Sequence, residues 1–350
     1  MEIDKYEIDM LDVKNADAIL IHFFDTSGNE YVVLVDGGNY GDGETVADFI
    51  KSNYTKKQID LAICTHCDKD HFGGILALLE QMRDNVKEHI PIKKIWIHDP
   101  ARHVERGMIK WITDKEEREV KARSVYDIGD KNLWEVLDEL IEDGRIEWAE
   151  PFSNPQDKSQ EIEWNGVISV VGPTVEYYTK FVPDFRNDLK KRKNGYSFDE
   201  PEDIGIEEPD EPLNRRIDEA GDDESSHNRT SVIFVFKPNK DDVCLFTGDA
   251  SRDSFNKLRD KPLYDSLANV RWLKVPHHGS IYNLDSTLIS HFSPRIAYIS
   301  TKEYNNYLSI SLKNALKKVK ADVYATCVGG SKQDRYNLPL HDGYVLATKL

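Results

Sequence analysis

His66, Asp68, Asp70 and His71 fall within six positions, in the string Thr65-His66-Cys67-Asp68-Lys69-Asp70-His71-Phe72-Gly73-Gly74. Asp249 closes the run Leu245-Phe246-Thr247-Gly248-Asp249, and His277 and His278 follow Trp272-Leu273-Lys274-Val275-Pro276. Imidazoles and carboxylates delivered from several places are the raw material of a metal site. Gathering Asp68, Asp70 and Asp249 without a cation is costly, because buried like charges repel and lose hydration. A divalent ion removes that cost. Mixed imidazole and carboxylate ligands suit Zn²⁺, Mn²⁺ or Fe²⁺, and a cluster of this size can hold two ions about 3.5–4 Å apart.

The elements that must position these groups are legible as apolar runs ending at the polar strings. Tyr6–Val13, Asp17–Phe24 and Tyr31–Asp36 read as a strand meander stopped by Gly37-Gly38. A helix pattern through Val46, Phe49 and Ile50 leads to a short buried strand, Ile59–Cys64, and an apolar helix opens behind His71. Further strands are expected at Ile92–His98, Ile162–Val171, Ser231–Phe236, Val243–Thr247, Arg271–Val275 and Arg295–Ser300, and near Val323 and Tyr344. Helices are expected around Met108–Thr113, Leu133–Ile141 and Leu312–Val319. Three strands thus carry ligand-type residues at their C-terminal ends, the edge where open α/β sheets bind ligands. Layered α/β is the fold class.

The chain has 350 residues, 39% of them hydrophobic and 31% charged, enough apolar material for a packed core. No apolar run approaches the ~18 residues of a membrane span, and the first residues, MEIDKYEIDM, are acidic rather than signal-like. Four cysteines, with Cys64 and Cys67 lacking a second pair, suit a reducing cytoplasm better than a disulfide framework. Net charge is −17, yet Asp199–Glu224 alone holds 13 acidic and 2 basic residues and so supplies −11 of it. The body is only mildly acidic, so nucleic acid is not excluded as a substrate. The Lys190–Lys193 cluster and the acidic run behind it read as a charged, solvated insertion at about 181–226. A second, mixed insertion is expected at about 84–160, within a single domain spanning 1–350.

The HxDxDH string, with a later Gly-Asp and a later His, resembles the metallo-β-lactamase superfamily, whose usual signature is HxHxDH. Asp68 stands where the second histidine would be. Together with LDVKNADAIL, VLVDGGN, THCDKDHFGG, NRTSVIFVF, LFTGDA and LKVPHHGS, it resembles the hydrolase domain of the ComEC family of DNA-uptake competence proteins. The likeness runs in order from about Met10 to Leu350, outside the two insertions. It implies an αββα sandwich with helical and acidic-loop insertions and two divalent metal ions, Zn or Mn. By position, His66 and Asp68 would bind the first metal, Asp70 and His71 the second, and Asp249 would bridge them. His277 would complete the second site. The remaining ligand of the first falls at His227 or Asn228. Asp36 would brace the metal loop through hydrogen bonds, and His278 and Ser280 would stand beside the metals or the substrate. Two departures matter: Ser309 occupies the place of a late family histidine, and the family's membrane channel has no counterpart here.

The expected activity is a metal-dependent hydrolase, foremost a phosphodiesterase or nuclease acting on a nucleotide or nucleic acid through a metal-bridging hydroxide, with Asp70 and Asp249 as catalytic residues. Replacing an imidazole by Asp68 hardens the first site and brings Mn²⁺ into competition with Zn²⁺. Hydrolysis of a lactone, a thioester or another carbon-centred bond is the second reading. A non-catalytic metal-binding subunit that docks a protein partner through the acidic insertion is the third. His22, His89, His98, His103, His291 and His341 lack metal spacing and read as structural.

Overall fold

Alternating apolar residues build an N-terminal meander in which β1 (Ile3–Met10), β2 (Ile19–Asp25) and β3 (Glu30–Val35) pair antiparallel. On β1, Tyr6, Ile8 and Met10 enter one core while Glu7 and Asp9 take the opposite face, the two-residue period of a pleated strand. Helix α1 (Asp42–Asn53) leads into β4 (Leu61–Ile63), and α2 (Lys69–Arg83) leads into β5 (Lys94–Trp96). Strands β3, β4 and β5 run parallel, as helical crossovers require. The computed structural model describes residues 1–104, 115–153, 162–185, 215–259, 262–302, 309–341 and 349–350.

Strands β6 (Asp127–Ile128) and β7 (Lys131–Asn132) form a small separate hairpin, and β8 (Glu147–Ala149) extends the first sheet beside β5. The second sheet holds β9 (Ile162–Glu163), β10 (Ile168–Gly172), β11 (Ile233–Phe236), β12 (Cys244–Phe246), β13 (Trp272–Lys274), β14 (Ile296–Ile299) and β15 (Asp322–Ala325). Its strands stand in the order β15-β14-β13-β12-β11-β10-β9. Strand β16 (Lys332–Tyr336) returns to the first sheet, whose order is β16-β1-β2-β3-β4-β5-β8.

Apolar side chains sort into three cores. One lies between the sheets, with Tyr6, Phe23, Ile63 and Trp96 facing Phe234, Phe246 and Trp272. The others lie between each sheet's outer face and its helices: Leu34, Phe72 and Leu76 on the first, Leu245, Leu273 and Leu316 on the second. This is the expected αββα sandwich, with helices outside and, among the described residues, two seven-stranded sheets within.

Two segments differ from their reading. The stretch from about 84 to 160, expected to be an insertion, supplies β5 and β8 to the first sheet and is in part framework. Strand β5 falls within the strand expected at Ile92–His98, whereas β8, also three residues long, is too short for its alternation to stand out among polar connections. Strand β16 was not anticipated, since Lys332-Gln333-Asp334-Arg335-Tyr336 reads as a polar loop. It sits at a sheet edge, and its Asp334 pairs with Arg271. The expected helix at Met108–Thr113, the Lys190–Lys193 cluster, residues 199–214 of the acidic run and the strand near Tyr344 lie outside the described residues.

Candidate metal centre

Backbone proximity sets the metal loop in place. Gly37 N donates to His71 O at 2.7 Å, and Gly74 N donates to Gly38 O at 3.0 Å, so α2 starts hard against the turn after β3. A Cβ on Gly74 would lie 1.9 Å from Gly37 O, which leaves no room for any side chain. Asp68 occupies the N-cap position of α2, with its side chain unused as a cap. The carboxylate instead faces the loop, against His227 and His66.

Each of three buried imidazoles has its Nδ1 engaged, which fixes the tautomer by its partners. His71 Nδ1 donates to Asp36 Oδ2 at 2.8 Å, and His278 Nδ1 donates to Ser300 O at 3.0 Å. Thr65 Oγ1 gives its proton to Asp36 Oδ2 at 2.7 Å and so accepts from His66 Nδ1 at 3.0 Å. All three present a bare Nε2, and none of these buried Nε2 atoms has a hydrogen-bond partner. They converge on Asp249 Oδ2, at 3.3 Å for His71, 3.9 Å for His278 and 4.0 Å for His66. Asp68 Oδ2 stands 3.7 Å from His66 Nε2, and Asp70 Oδ2 stands 3.4 Å from His278 Nε2. Orphaned lone pairs facing carboxylates at these separations fit divalent cations, whose ligands they would be.

Asp249 is held from behind. Lys274, 1% exposed, donates to Gly248 O at 2.8 Å and to Asp249 Oδ1 at 3.2 Å, and it also pairs with Asp17. Asp249 Oδ1 is thereby occupied and Oδ2 is turned toward the imidazoles. Burial works against ionising Asp249, yet His71, Lys274, His277 and His278 hold its carboxyl well below the usual range. Burial likewise opposes charge on His71, but Asp249, Asp36 and Asp70 raise its pKa well above the ordinary value. The carboxylates draw positive charge into the site, which is the demand that a metal ion would meet.

The structure sorts the residues left open by sequence. His278, rather than His277, stands against Asp70 and His71. His277 Nδ1 donates to Asp223 Oδ2 at 2.9 Å while its Nε2 lies 4.0 Å from Asp249 Oδ2. The sequence gives no means to separate the two, because both take a left-handed turn, φ 48° and 52°, that re-aims the side chains. His227 Nε2 donates to Phe185 O at 3.1 Å and its Nδ1 contacts Asp68 Oδ1 at 2.9 Å. With both nitrogens donating, His227 clamps Asp68 and has no lone pair for a metal. The neighbouring Asn228 donates to Asp223 Oδ2 at 2.7 Å, and its buried Oδ1 has no partner. Asp36 braces Thr65 and His71 as expected of its position.

Ser280 Oγ accepts from Tyr282 N at 3.3 Å, and Ser280 N donates to His277 O at 2.9 Å, which seats it at the end of the histidine turn. Ser309 caps the helix Ile310–Lys318, and its N donates to Gly279 O at 3.4 Å, which places it beside the His277–Gly279 turn. Asp223 went unrecognised in the sequence. It is the last but one residue of the acidic run, where one carboxylate is indistinguishable from its neighbours, yet it is buried and joins Asn228, His277 and Asn283. Lys274 was also missed as a site residue, read only as part of an apolar strand.

Strand ends, a carboxylate-rich loop and imidazoles with bare Nε2 atoms thus meet at the edge of an αββα sandwich. Residues 11–154 match the family model of the metallo-beta-lactamase superfamily. The matched span holds Asp36, His66, Asp68, Asp70 and His71, and the whole is a metallo-beta-lactamase fold of mixed α/β layers. Superfamily match and ligand clusters together support a metal-dependent hydrolase. Among solved structures, the chain is similar to one titled "Crystal structure of a long form RNase Z from yeast", at 10% identity and a TM-score of 0.40. That alignment covers 92% of this chain and 40% of the other, so the chain spans well under half the length of that neighbour. No curated protein sequence matches this one. Among the described residues, no helix is long and apolar enough to cross a membrane.

Proposed function

We propose that this chain is a dinuclear metal-dependent phosphodiesterase or nuclease acting on a nucleotide or nucleic-acid substrate. The observation that carries the reading is the convergence of three bare, buried Nε2 atoms on one oxygen of Asp249. His66 and Asp68 would hold one ion and Asp70, His71 and His278 the other, with Asp249 contributing to the set that holds them. Bound divalent ions would supply charge to polarise a phosphoryl oxygen and to make water nucleophilic near neutral pH.

The chain's own groups prepare that arrangement. Asp36 and Ser300 hold His71 and His278 in the tautomer with Nε2 bare, and Lys274 turns Asp249 so that Oδ2 faces them. Such supporting contacts orient ligands before the reaction. Asp70, a third exposed at its side chain, is the carboxylate most open to an incoming substrate or water. Three carboxylates among six ligand-type residues make a hard, oxygen-rich set, which favours phosphodiesters over softer chemistry and admits Mn²⁺ beside Zn²⁺. The likeness to the ComEC hydrolase domain supports the same substrate class, and the four free cysteines support a reducing compartment such as the cytoplasm.

Asp249→Asn and His71→Ala test the assignment. Each should abolish hydrolysis of a generic phosphodiester and lower bound metal while unfolding stays cooperative. Full activity in either variant would remove Asp249 or His71 from the site. A parallel ester and lactone panel on the wild type should show little turnover; ester hydrolysis without phosphodiester hydrolysis would overturn the substrate class.

A further inference from the structure

A second set of ligand-type residues lies on the helix-facing side of β1 and shares no residue with the Asp249 cluster. Glu7 and Asp9 project there side by side, 2% and 0% exposed. His341 Nε2 sits 3.3 Å from Glu7 Oε2 and 3.4 Å from Asp9 Oδ2. Those separations are long for charged hydrogen bonds. They equal the edge of a tetrahedron built on metal–ligand bonds of about 2.0–2.1 Å. The same 3.3 and 3.4 Å spacings recur at His71–Asp249 and His278–Asp70 in the candidate metal centre.

Two further observations point to a cation as the natural occupant of this set. Asp9 Oδ1 is fully buried and has no hydrogen-bond partner. Charge is also unbalanced: His22 lies between Glu7 Oε1, at 2.6 Å, and Glu30 Oε1, at 2.9 Å. Even with His22 and His341 both protonated, two positive charges face the three carboxylates of Glu7, Asp9 and Glu30. Lys56, the nearby ammonium, is engaged by Asp60 at 2.6 Å. The oxygens that would bind the ion are already oriented, Glu7 Oε2 by Gln333 Nε2 at 2.6 Å and Asp9 Oδ2 by the Tyr54 hydroxyl at 2.8 Å. That is the supporting shell expected around metal-binding carboxylates.

We propose that Glu7, Asp9 and His341 bind a further divalent cation, zinc or a similar imidazole-accepting ion, which ties the segment carrying His341 to β1. The role is structural, since the set lies on the helix side of the sheet. Sequence reasoning reads His341 as an isolated histidine because its partners are more than 330 positions away.

Elemental analysis of the full chain, stripped with chelator, reloaded with Zn²⁺ and dialysed, tests this. His341→Ala and the isosteric Asp9→Asn should each bind one equivalent less zinc than the wild type and keep phosphodiester hydrolysis. Asp249→Asn should retain that equivalent, so the result is independent of whether the catalytic reading holds. If His341→Ala does not fold, Asp9→Asn alone decides. Co²⁺ loaded into Asp249→Asn should give the visible absorption of a tetrahedral site, and this should vanish on adding Asp9→Asn. Unchanged zinc content in Asp9→Asn would overturn the proposal.

Discussion

Lys274 places a buried ammonium between two buried carboxylates, Asp17 and Asp249, and so decides which oxygen of Asp249 faces the imidazoles. Burial opposes its charge, yet Asp17 and Asp249 raise its pKa above the ordinary lysine value. Lys274→Met should therefore leave two carboxylates facing each other without a counter-charge. The expected cost is about 3–5 kcal/mol of stability by denaturant unfolding, the usual penalty for breaking a buried ion pair. A loss below about 1 kcal/mol would show that solvent or another group compensates the pair. The residue types of the site were legible in the sequence: His66, Asp68, Asp70, His71 and Asp249 all reach the cluster. What was not legible is orientation. His227 and Asn228, or His277 and His278, differ by one position, and only the backbone turns and the partners Asp68, Asp223 and Ser300 tell them apart.

At the level of elements, the site depends on α2 approaching the β3 turn closely enough for backbone to touch backbone. Gly74→Ala puts a methyl into Gly37 O and should destabilise the protein by about 3 kcal/mol or more, as overpacking does. Gly41→Ala, where a Cβ meets nothing within 4 Å, should change stability by less than about 0.5 kcal/mol. Thermal or denaturant unfolding of both reads the contrast; equal effects would show that the contact is not needed. The same contrast explains which elements the sequence revealed. Long alternating runs such as β1–β3 announce themselves, because burial on one face forces a period of two. Strand β8 is three residues long, and β16 is a polar edge strand whose partner lies more than 300 positions away. Their pairing is decided by tertiary neighbours rather than by local pattern.

For the whole molecule, acid stability is set partly by a buried histidine outside the ligand set. His98, buried and stacked on Phe152 with ring centroids 4.3 Å apart, is held down to about 3, mainly by burial and then by the nearby His103. Its unfolded form protonates near pH 6.5 while the folded form stays neutral, so stability is full above that pH and falls as pH drops toward 3. Between pH 8 and pH 5 the loss from this group should be about 2 kcal/mol, and His98→Asn should flatten that slope. An unchanged pH dependence in the variant would assign the slope elsewhere. The sandwich brings together strand ends separated by more than 200 positions, from His66 to His278, around one carboxylate oxygen. The most direct test of that convergence is metal dependence itself: chelator-treated protein titrated with Zn²⁺ or Mn²⁺, with bound metal and phosphodiester hydrolysis followed together. Hydrolysis should be lost on stripping and return in step with metal uptake, and His71→Ala should show neither. Protein that takes up no metal, or that hydrolyses fully without it, would contradict the metal centre.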